Sequence, residues 1–507
     1  MIPSYYFKEK IVKMGKWALL PLDCENWHGE HTALYYKKVF GFTKESLLIC
    51  FVDETLAQNA YFPQSYFDLL YAFLRRVNVK DPKGLEKRLL PFYAIRTKAK
   101  KEIPKIAVRN YKKLTNVELI RLYKKNRDWA HRVTVHDQFG WTAEEYWPPI
   151  MKKILTEVYG ISVDSSEYYR VLFILTKPEE ISTTLEEKRS VLKEAIAVQQ
   201  KKKSVEHAAK KLARSYGWMP VFTYGEPWEA KYYATELREL IEKNQNTLEH
   251  EYEILKQYRA IRNSEFRAVV KQYGITKKDL QTFLDFGLAL DTRNEAEYLV
   301  SLAGFYVLPI YREMARRLSI SVKQLRCLYE DEIISALQGK LDAEKRLREK
   351  GKVIGWGFEK GTARRVNFTE AEAKRLFASI EKRVTNLQGN DEHQGVCASP
   401  GTARGIAKIV RSPTENGKVK SGDILITHST TVDYLPAMKK AAAIVTEVGG
   451  LTCHAAVVSR EFGVPCVVGL KNATGIFCDD DFVEVDAEHG TVHLLRKGRG
   501  SPPSEES

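Results

Sequence analysis

The stretch IVTEVGGLTCHAAVVSREFGVPCVVG, Ile444 to Gly469, decides how this chain is read. AAAIVTE, which leads into it, is apolar and reads as a buried strand. Gly449 and Gly450 permit a tight backbone at the following turn. CHAAVVSREFG reads as a short helix, with Thr452 as its N-cap, Gly463 as its stop and Pro465 beyond. CVVG is a second strand. In this strand–turn–helix–strand unit His454 falls in the first helical turn. A group carried on its imidazole would lie beside unpaired backbone N–H groups and the positive end of the helix dipole, a setting that favours a phosphoryl group. The dipole also lowers a histidine's pKa and keeps the ring neutral and nucleophilic. On spacing alone, a partly buried helix-start histidine with no chemical role is the favoured reading.

Working outward, GTARGIAKIVRS and GDILITH read as strands, and DFVEVDAEHGTVHLL as a hairpin around Glu488 to Gly490. Upstream the texture changes. Residues from about 104 to 345 read as mostly helical. TNVELIRLYKKNRDWAHRV opens with Thr115 and has Glu118 three residues on, a capping-box pattern. The charged stretch from Ala234 to Gly274 reads as one long helix or two with a kink, and further helices run to Gly339. Residues 351 to 385 read as a short hairpin followed by a helix, with Gly355–Trp356–Gly357 as the hairpin turn. In the first 90 residues, KWALLPL and SLLICFV are strand-like. YFDLLYAFLRRV is helical, with Tyr66, Leu69, Leu70 and Phe73 on one face. The expected architecture is multidomain α+β. An α/β region spans 1–90, a mainly helical substrate-binding domain 91–390, and a C-terminal β/β/α domain 391–496, followed by a disordered tail over 497–507.

The chain has 507 residues, enough for about three domains and a core that needs no metal or disulfide staples. A 44% hydrophobic content excludes global disorder. No stretch approaches the ~18 uninterrupted apolar residues of a membrane span, and the N-terminus lacks a secretory h-region. Seven widely spaced cysteines without a CxxC pair suit a reducing, cytoplasmic setting. The net charge is +15, yet Gly395 to Arg496 holds ten Lys and Arg against eleven Asp and Glu, so the excess lies upstream. A basic body can face nucleic acid, phosphorylated ligands or an acidic partner, or be a solvated surface.

The residues around His454 resemble the phosphohistidine swivelling domain of the phosphoenolpyruvate (PEP)-utilising enzymes. Four ordered blocks carry the resemblance: GVCASPGTARG from Gly395, SGDILITHSTTVDYLPAMKKAAAIVTEVGG from Ser421, TCHAAVVSREFGVPCVVG from Thr452, and NATGIFCDDDFVEVDAEHGTVHLL from Asn472. The resemblance implies that His454 carries the phosphoryl group. It implies that Gly449, Gly450, Thr452, Cys453 and Arg460 surround and stabilise that group, with Glu461 also at a signature position. The chain departs from phosphoenolpyruvate synthase and pyruvate phosphate dikinase in showing no ATP-grasp pattern, no GxxxxGK[ST] loop and no PEP-binding barrel. The part before the swivelling domain is similar, more loosely, to the helical substrate domain of rifampin phosphotransferase, best over Met314 to Gly339. The arrangement is similar to the histidine-bearing subunit of phenylphosphate synthase, where a separate subunit supplies the ATP-grasp domain.

Other clusters are weaker. Cys24, His28 and His31 fit no standard zinc spacing, so no metal site is expected. His131, His136 and Asp137 lie among Trp129, Phe139 and Trp141; on a helix end lining a pocket they would form a candidate acceptor site, and otherwise an aromatic core. Lys201 to Trp218 is a basic helix, and the absence of a recognisable recognition module disfavours nucleic acid as a partner. The resulting expectation is a phosphotransferase component with a covalent phosphohistidine intermediate on His454. ATP and Mg²⁺ sit on a separate ATP-grasp partner chain, the acceptor is a small molecule, and no membrane is involved. The alternative is a non-catalytic phosphorelay or regulatory protein that keeps the histidine and lacks an acceptor pocket.

Overall fold

A computed structural model describes residues 11–18, 30–42, 46–51, 57–81, 83–143, 145–163, 165–221, 226–243, 247–350, 353–359, 362–369, 371–372, 375, 378, 384–385, 394–451 and 453–498. Two compact units form, each from two segments. The first combines residues 1–143 and 299–389, the second 144–298 and 390–507. The expected pairing of a largely helical body with a C-terminal β-containing domain is observed.

In the first unit, strands β1 (Ile11–Ala18), β2 (Ser46–Phe51), β3 (Ala57–Pro63), β4 (Val353–Glu359), β5 (Thr362–Phe368) and β6 (Val384–Thr385) make one sheet in the order β5-β4-β2-β3-β1-β6. The hairpin expected after residue 351 is β4–β5, but Gly355–Trp356–Gly357 lies inside β4 rather than at the turn. Most of the helix expected after it lies outside the described residues. Helices α1 (Glu30–Phe40), α2 (Gln64–Lys80), α3 (Pro91–Glu102) and α4 (Asn116–Ala143) accompany this sheet. On α2 the buried stripe is Tyr66, Phe67, Leu70 and Leu74, whereas Leu69 is exposed, so the expected face is corrected by one position. The capping box at the start of α4 is present. The Thr115 backbone and hydroxyl both donate to Glu118, and the Glu118 N–H donates to Thr115 Oγ1.

The second unit contains, after a helix over Trp147–Lys153, α5 (Ser166–Thr176), α6 (Thr183–Gln199) and α7 (Val205–Tyr216), each of these three with a serine N-cap. The expected one or two helices before Gly274 are three: α8 (Ala230–Lys243), α9 (Leu248–Lys256) and α10 (Tyr258–Tyr273). Gly274 does end the last of them, in the left-handed conformation. Helix α11 (Lys277–Arg317) is a single 41-residue helix whose residues divide between the two units. Its C-terminal half packs Val307, Ile310, Tyr311 and Met314 against Leu119, Ile120 and Tyr123 of α4 in the first unit.

The C-terminal segment forms a mixed seven-stranded sheet from β7 (Val396–Ser399), β8 (Thr402–Ile409), β9 (Ile424–Thr427), β10 (Ala443–Thr446), β11 (Cys466–Val468), β12 (Phe482–Asp486) and β13 (Thr491–Arg496). Its order is β13-β12-β8-β9-β10-β11-β7. The four central strands β8 to β11 pair in parallel. ILIT and AIVT are buried at every position, as central parallel strands covered on both faces require. Ile424, Ile426, Ala443, Val445 and Val467 form the core under this sheet. Helix α12 (His454–Phe462) runs between β10 and β11.

Candidate functional site

The loop from β10 to α12 is shaped by glycine. Gly449 has φ +123°, and a Cβ there would stand 2.8 Å from Cys453 Sγ, so the chain can fold back on Cys453 only without a side chain. A Cβ at Gly450 would sit 3.6 Å from Glu145 Oε1. The loop is pinned at both ends. The Glu447 and Val448 N–H groups donate to the Thr427 and His428 carbonyls, and the Cys453 N–H donates to the Gly450 carbonyl. Glu447 accepts from the Thr474 backbone and hydroxyl at 2.8 and 2.6 Å, and its other oxygen is 2.7 Å from His428 Nδ1. Burial would raise the pKa of Glu447, but these hydrogen bonds outweigh it and hold the carboxyl below its usual value.

Helix α12 begins one residue later than the sequence suggests. The N-cap position belongs to Cys453, which makes no side-chain capping bond, and Thr452 lies outside the described residues. Ala455, Ala456, Val458 and Ser459 bury one face, and Gly463 in the left-handed conformation stops the helix as expected. His454 is thereby the first helical residue and is 7% exposed. Its Nδ1 is 3.1 Å from Thr430 Oγ1. Its Nε2 is buried and has no hydrogen-bond partner among the described residues. Burial, reinforced by the positive charge of Arg293, pushes the imidazole pKa down to about 3, so the ring is neutral at physiological pH.

Arg460, which the resemblance sets among the phosphoryl-stabilising residues, donates from Nη2 to the Leu451 carbonyl at 2.8 Å and lies over the Phe173 ring. It ties the glycine loop to the helix. Burial lowers its pKa to about 10, which leaves it charged at neutral pH. Burial raises the Glu461 carboxyl to about 7; the charges of Glu295 and Asp291 add to the rise, and the Ser182 and Thr184 hydroxyls at the start of α6 oppose it.

Within this unit the helical segment and the C-terminal sheet domain are joined by ion pairs. Lys439 Nζ reaches Glu187 at 2.9 Å and Glu236 at 2.7 Å, and Lys440 reaches Glu239 at 3.4 Å. Burial lifts the carboxyl of Glu187. Lys439 is half-buried, and the two carboxylates hold it firmly charged.

The other expected candidates belong to the first unit. His131, His136 and Asp137 lie in the interior of α4, not at a helix end. His131 and His136 are buried and Asp137 is half-buried. The His136 ring packs against Phe92 and Phe40, and burial drops its pKa to about 3. Residues 24–29 of the weak metal motif lie outside the described residues. Sequence reasoning passes over Thr430, Arg293 and Glu145. Only Arg293 has a visible signal. It lies in Asp291–Glu297, a run of charged residues in the middle of a helix whose flanks are apolar, and Asp291, Arg293, Glu295 and Glu297 are all buried.

The segment that holds this site is similar in sequence to known proteins. Residues 419–490 match the family model described as PEP-utilising enzyme, mobile domain. The chain is 51% identical over 100 residues to phosphoenolpyruvate synthase of Pyrococcus furiosus, covering 20% of this chain and 12% of that protein. It is 44% identical over 155 residues to the "Probable phosphoenolpyruvate synthase" of Archaeoglobus fulgidus, covering 30% and 20%. A stretch of 116 residues is 42% identical to a pyruvate kinase of Lactobacillus delbrueckii subsp. bulgaricus, covering 22% and 20%. The matched stretches thus span no more than about a fifth of these relatives' lengths, and the relatives carry different named activities. The stretch that bears His454 has the sequence of a PEP-utilising mobile domain.

Proposed function

We propose that this chain is the histidine-bearing component of a phosphotransferase. His454 is transiently phosphorylated and passes the group to a small-molecule acceptor, while ATP and Mg²⁺ are held by an ATP-grasp domain on a separate chain. The observation that carries this reading is the neutral His454 ring. Its Nε2 is left without a partner at the start of a helix, while Nδ1 is engaged by Thr430.

The chemistry follows from the tautomer. With the proton on Nδ1 donated to Thr430 Oγ1, the Nε2 lone pair is free to attack. In the first displacement an N–P bond forms at Nε2, the P–O bond to the leaving group breaks, and Nδ1 keeps its proton. In the second, an acceptor hydroxyl oxygen attacks phosphorus. The N–P bond breaks, its electrons return to Nε2, and the hydroxyl proton passes to water or a base at the acceptor. The N-terminal amides of α12 stabilise charge on the transferring group. The buried guanidinium of Arg293, whose charge already acts on the ring, would do so from α11. This favours an acceptor that meets His454 at the polar run of α11. His131, His136 and Asp137 remain the second candidate set. Because Nε2 is buried, the domain must leave its contacts with the helical segment before it can meet a donor, and the Lys439 ion pairs describe the docked state.

The test uses purified protein, extract of its source, and ATP labelled at the β or the γ phosphorus. Acid-labile, base-stable label that is absent from His454→Ala supports the carrier role, and the labelled position identifies the group passed on. No label from ATP or from labelled phosphoenolpyruvate overturns it in favour of a non-catalytic role.

A further inference from the structure

Almost the entire net charge of this protein sits in one ninth of its length. Between Arg75 and Arg132 there are nineteen Lys and Arg against five Asp and Glu, a net +14 out of +15. All of these residues belong to the first unit, on α2, α3, α4 and the short links between them. Fourteen of the nineteen are exposed. Four of those are neutralised locally, Lys83 by Glu86, Lys87 by Asp81, Lys105 by Glu102 and Arg132 by Asp128. The other ten, among them Lys98 and Lys101 on α3 and Arg121, Lys124 and Lys125 on α4, form no ion pair among the described residues. Helices α3 and α4 pack against each other, with the exposed cations Lys98 and Lys101 on one and Arg121, Lys124 and Lys125 on the other. The Glu102 carboxyl is held below its usual value by its hydrogen bond to Lys105 and by the charges of Lys105, Lys125 and Lys101 around it.

A solvated helix face ordinarily interleaves acids with bases, because unscreened like charges raise the free energy of the folded state. Here the repulsion is retained, which calls for a counter-charge of high density. An acidic protein and a nucleic acid both offer one. Protein interfaces are depleted in lysine, because lysine is costly to desolvate and to immobilise. Nine of the fourteen exposed cations are lysines. That composition suits a hydrated contact in which many flexible ammonium groups displace condensed counterions from a polyanion. No recognition module accompanies it, so base reading is not expected. We infer that the face formed by α3 and α4 binds the sugar–phosphate backbone of nucleic acid without sequence preference, independently of the chemistry at His454.

The experiment measures fluorescence anisotropy of a labelled 30-nucleotide RNA strand and a 30-base-pair DNA duplex from 50 to 300 mM salt. Three forms of the full chain are compared. They are the wild type, a face variant with Lys98, Lys101, Lys124 and Lys125 each changed to Gln, and a control with exposed Lys202, Lys210, Lys323 and Lys340 each changed to Gln. Both variants lose the same net charge. The expected result is binding by wild type at 150 mM salt. The face variant should be at least about 10-fold weaker, with a salt slope on RNA shallower by about 0.7 for each phosphate it no longer neutralises, while the control stays within about twofold. The RNA and duplex arms show which backbone is preferred. Equal weakening of both variants would reduce the effect to net charge and overturn the inference. Competition by poly-glutamate as effective as by RNA would overturn it too, pointing to an acidic polypeptide partner. Absence of binding at 150 mM overturns it outright.

Discussion

Thr430 Oγ1 lies 3.1 Å from Nδ1 of His454, and Nε2 of the same ring is buried with no hydrogen-bond partner among the described residues. One ring nitrogen is engaged, and the other is left for chemistry. Thr430→Val removes the hydroxyl that holds Nδ1 and should slow phosphorylation of His454 about 10-fold, the worth of one hydrogen bond of ~1.4 kcal/mol. Thr430→Ser should recover most of the rate. Rapid-quench labelling measures both. An unchanged rate in the valine variant would show that the tautomer is set elsewhere.

Lys439 serves two carboxylates, Glu187 and Glu236. Lys439→Met leaves buried Glu187 and half-buried Glu236 without a cation and should weaken the docked state by about 3 kcal/mol. Hydrogen exchange should then rise in α8 and in α12, and the His454 label should form no more slowly than in wild type, since a released domain exposes Nε2. Exchange rates equal to those of wild type would place the docking energy elsewhere.

The pH dependence of docking follows from Glu461. Its carboxyl is raised by burial from 4.5 to about 7, so the folded state binds the proton more tightly than the unfolded chain. The stabilisation is complete below pH 4.5 and is lost as pH climbs towards and through 7. Glu461→Gln keeps the group neutral. The Tm difference between variant and wild type should therefore grow in favour of the variant across that window, to about 3 °C at pH 8. A difference that does not vary with pH would remove Glu461 as the titrating group.

Gly449 has φ +123° and no room for a Cβ beside Cys453. Gly449→Ala should cost about 2 kcal/mol through backbone strain and displace the loop that precedes His454. Circular dichroism should show a folded protein with a lowered Tm, while labelling of His454 falls by more than the stability loss explains. Wild-type labelling would mean that the loop tolerates another conformation.

Much of the C-terminal domain is legible in the sequence because its signals are local. AAAIVTE, the Gly449–Gly450 turn and the Gly463 stop each act within a few residues. Helix counts between Ala230 and Gly274 are not, since nothing in the charged pattern marks the helix start at Leu248 or the break after Lys256. Helical spacing groups Leu69 with Tyr66 and Phe73, whereas tertiary packing chooses Phe67 and Leu74 for the buried face. At the site, the helix start shows where His454 sits, and only the resemblance of the surrounding blocks gives it a role. Thr430 and Arg293 lie 24 and 161 positions away in sequence, and only the fold brings them to the ring. Arg460 stands at a position the resemblance marks, but its bond to the Leu451 carbonyl is a tertiary contact that no local pattern shows.

The central claim is that Nε2 of His454 carries the phosphoryl group. Phosphorus NMR of the labelled, intact protein, combined with electron-transfer fragmentation of its peptides, tests it most directly. The account predicts a single phosphoramidate at His454, on Nε2, that is lost in His454→Gln. A phosphoryl group on Nδ1 of that ring, or on any other residue, would contradict it.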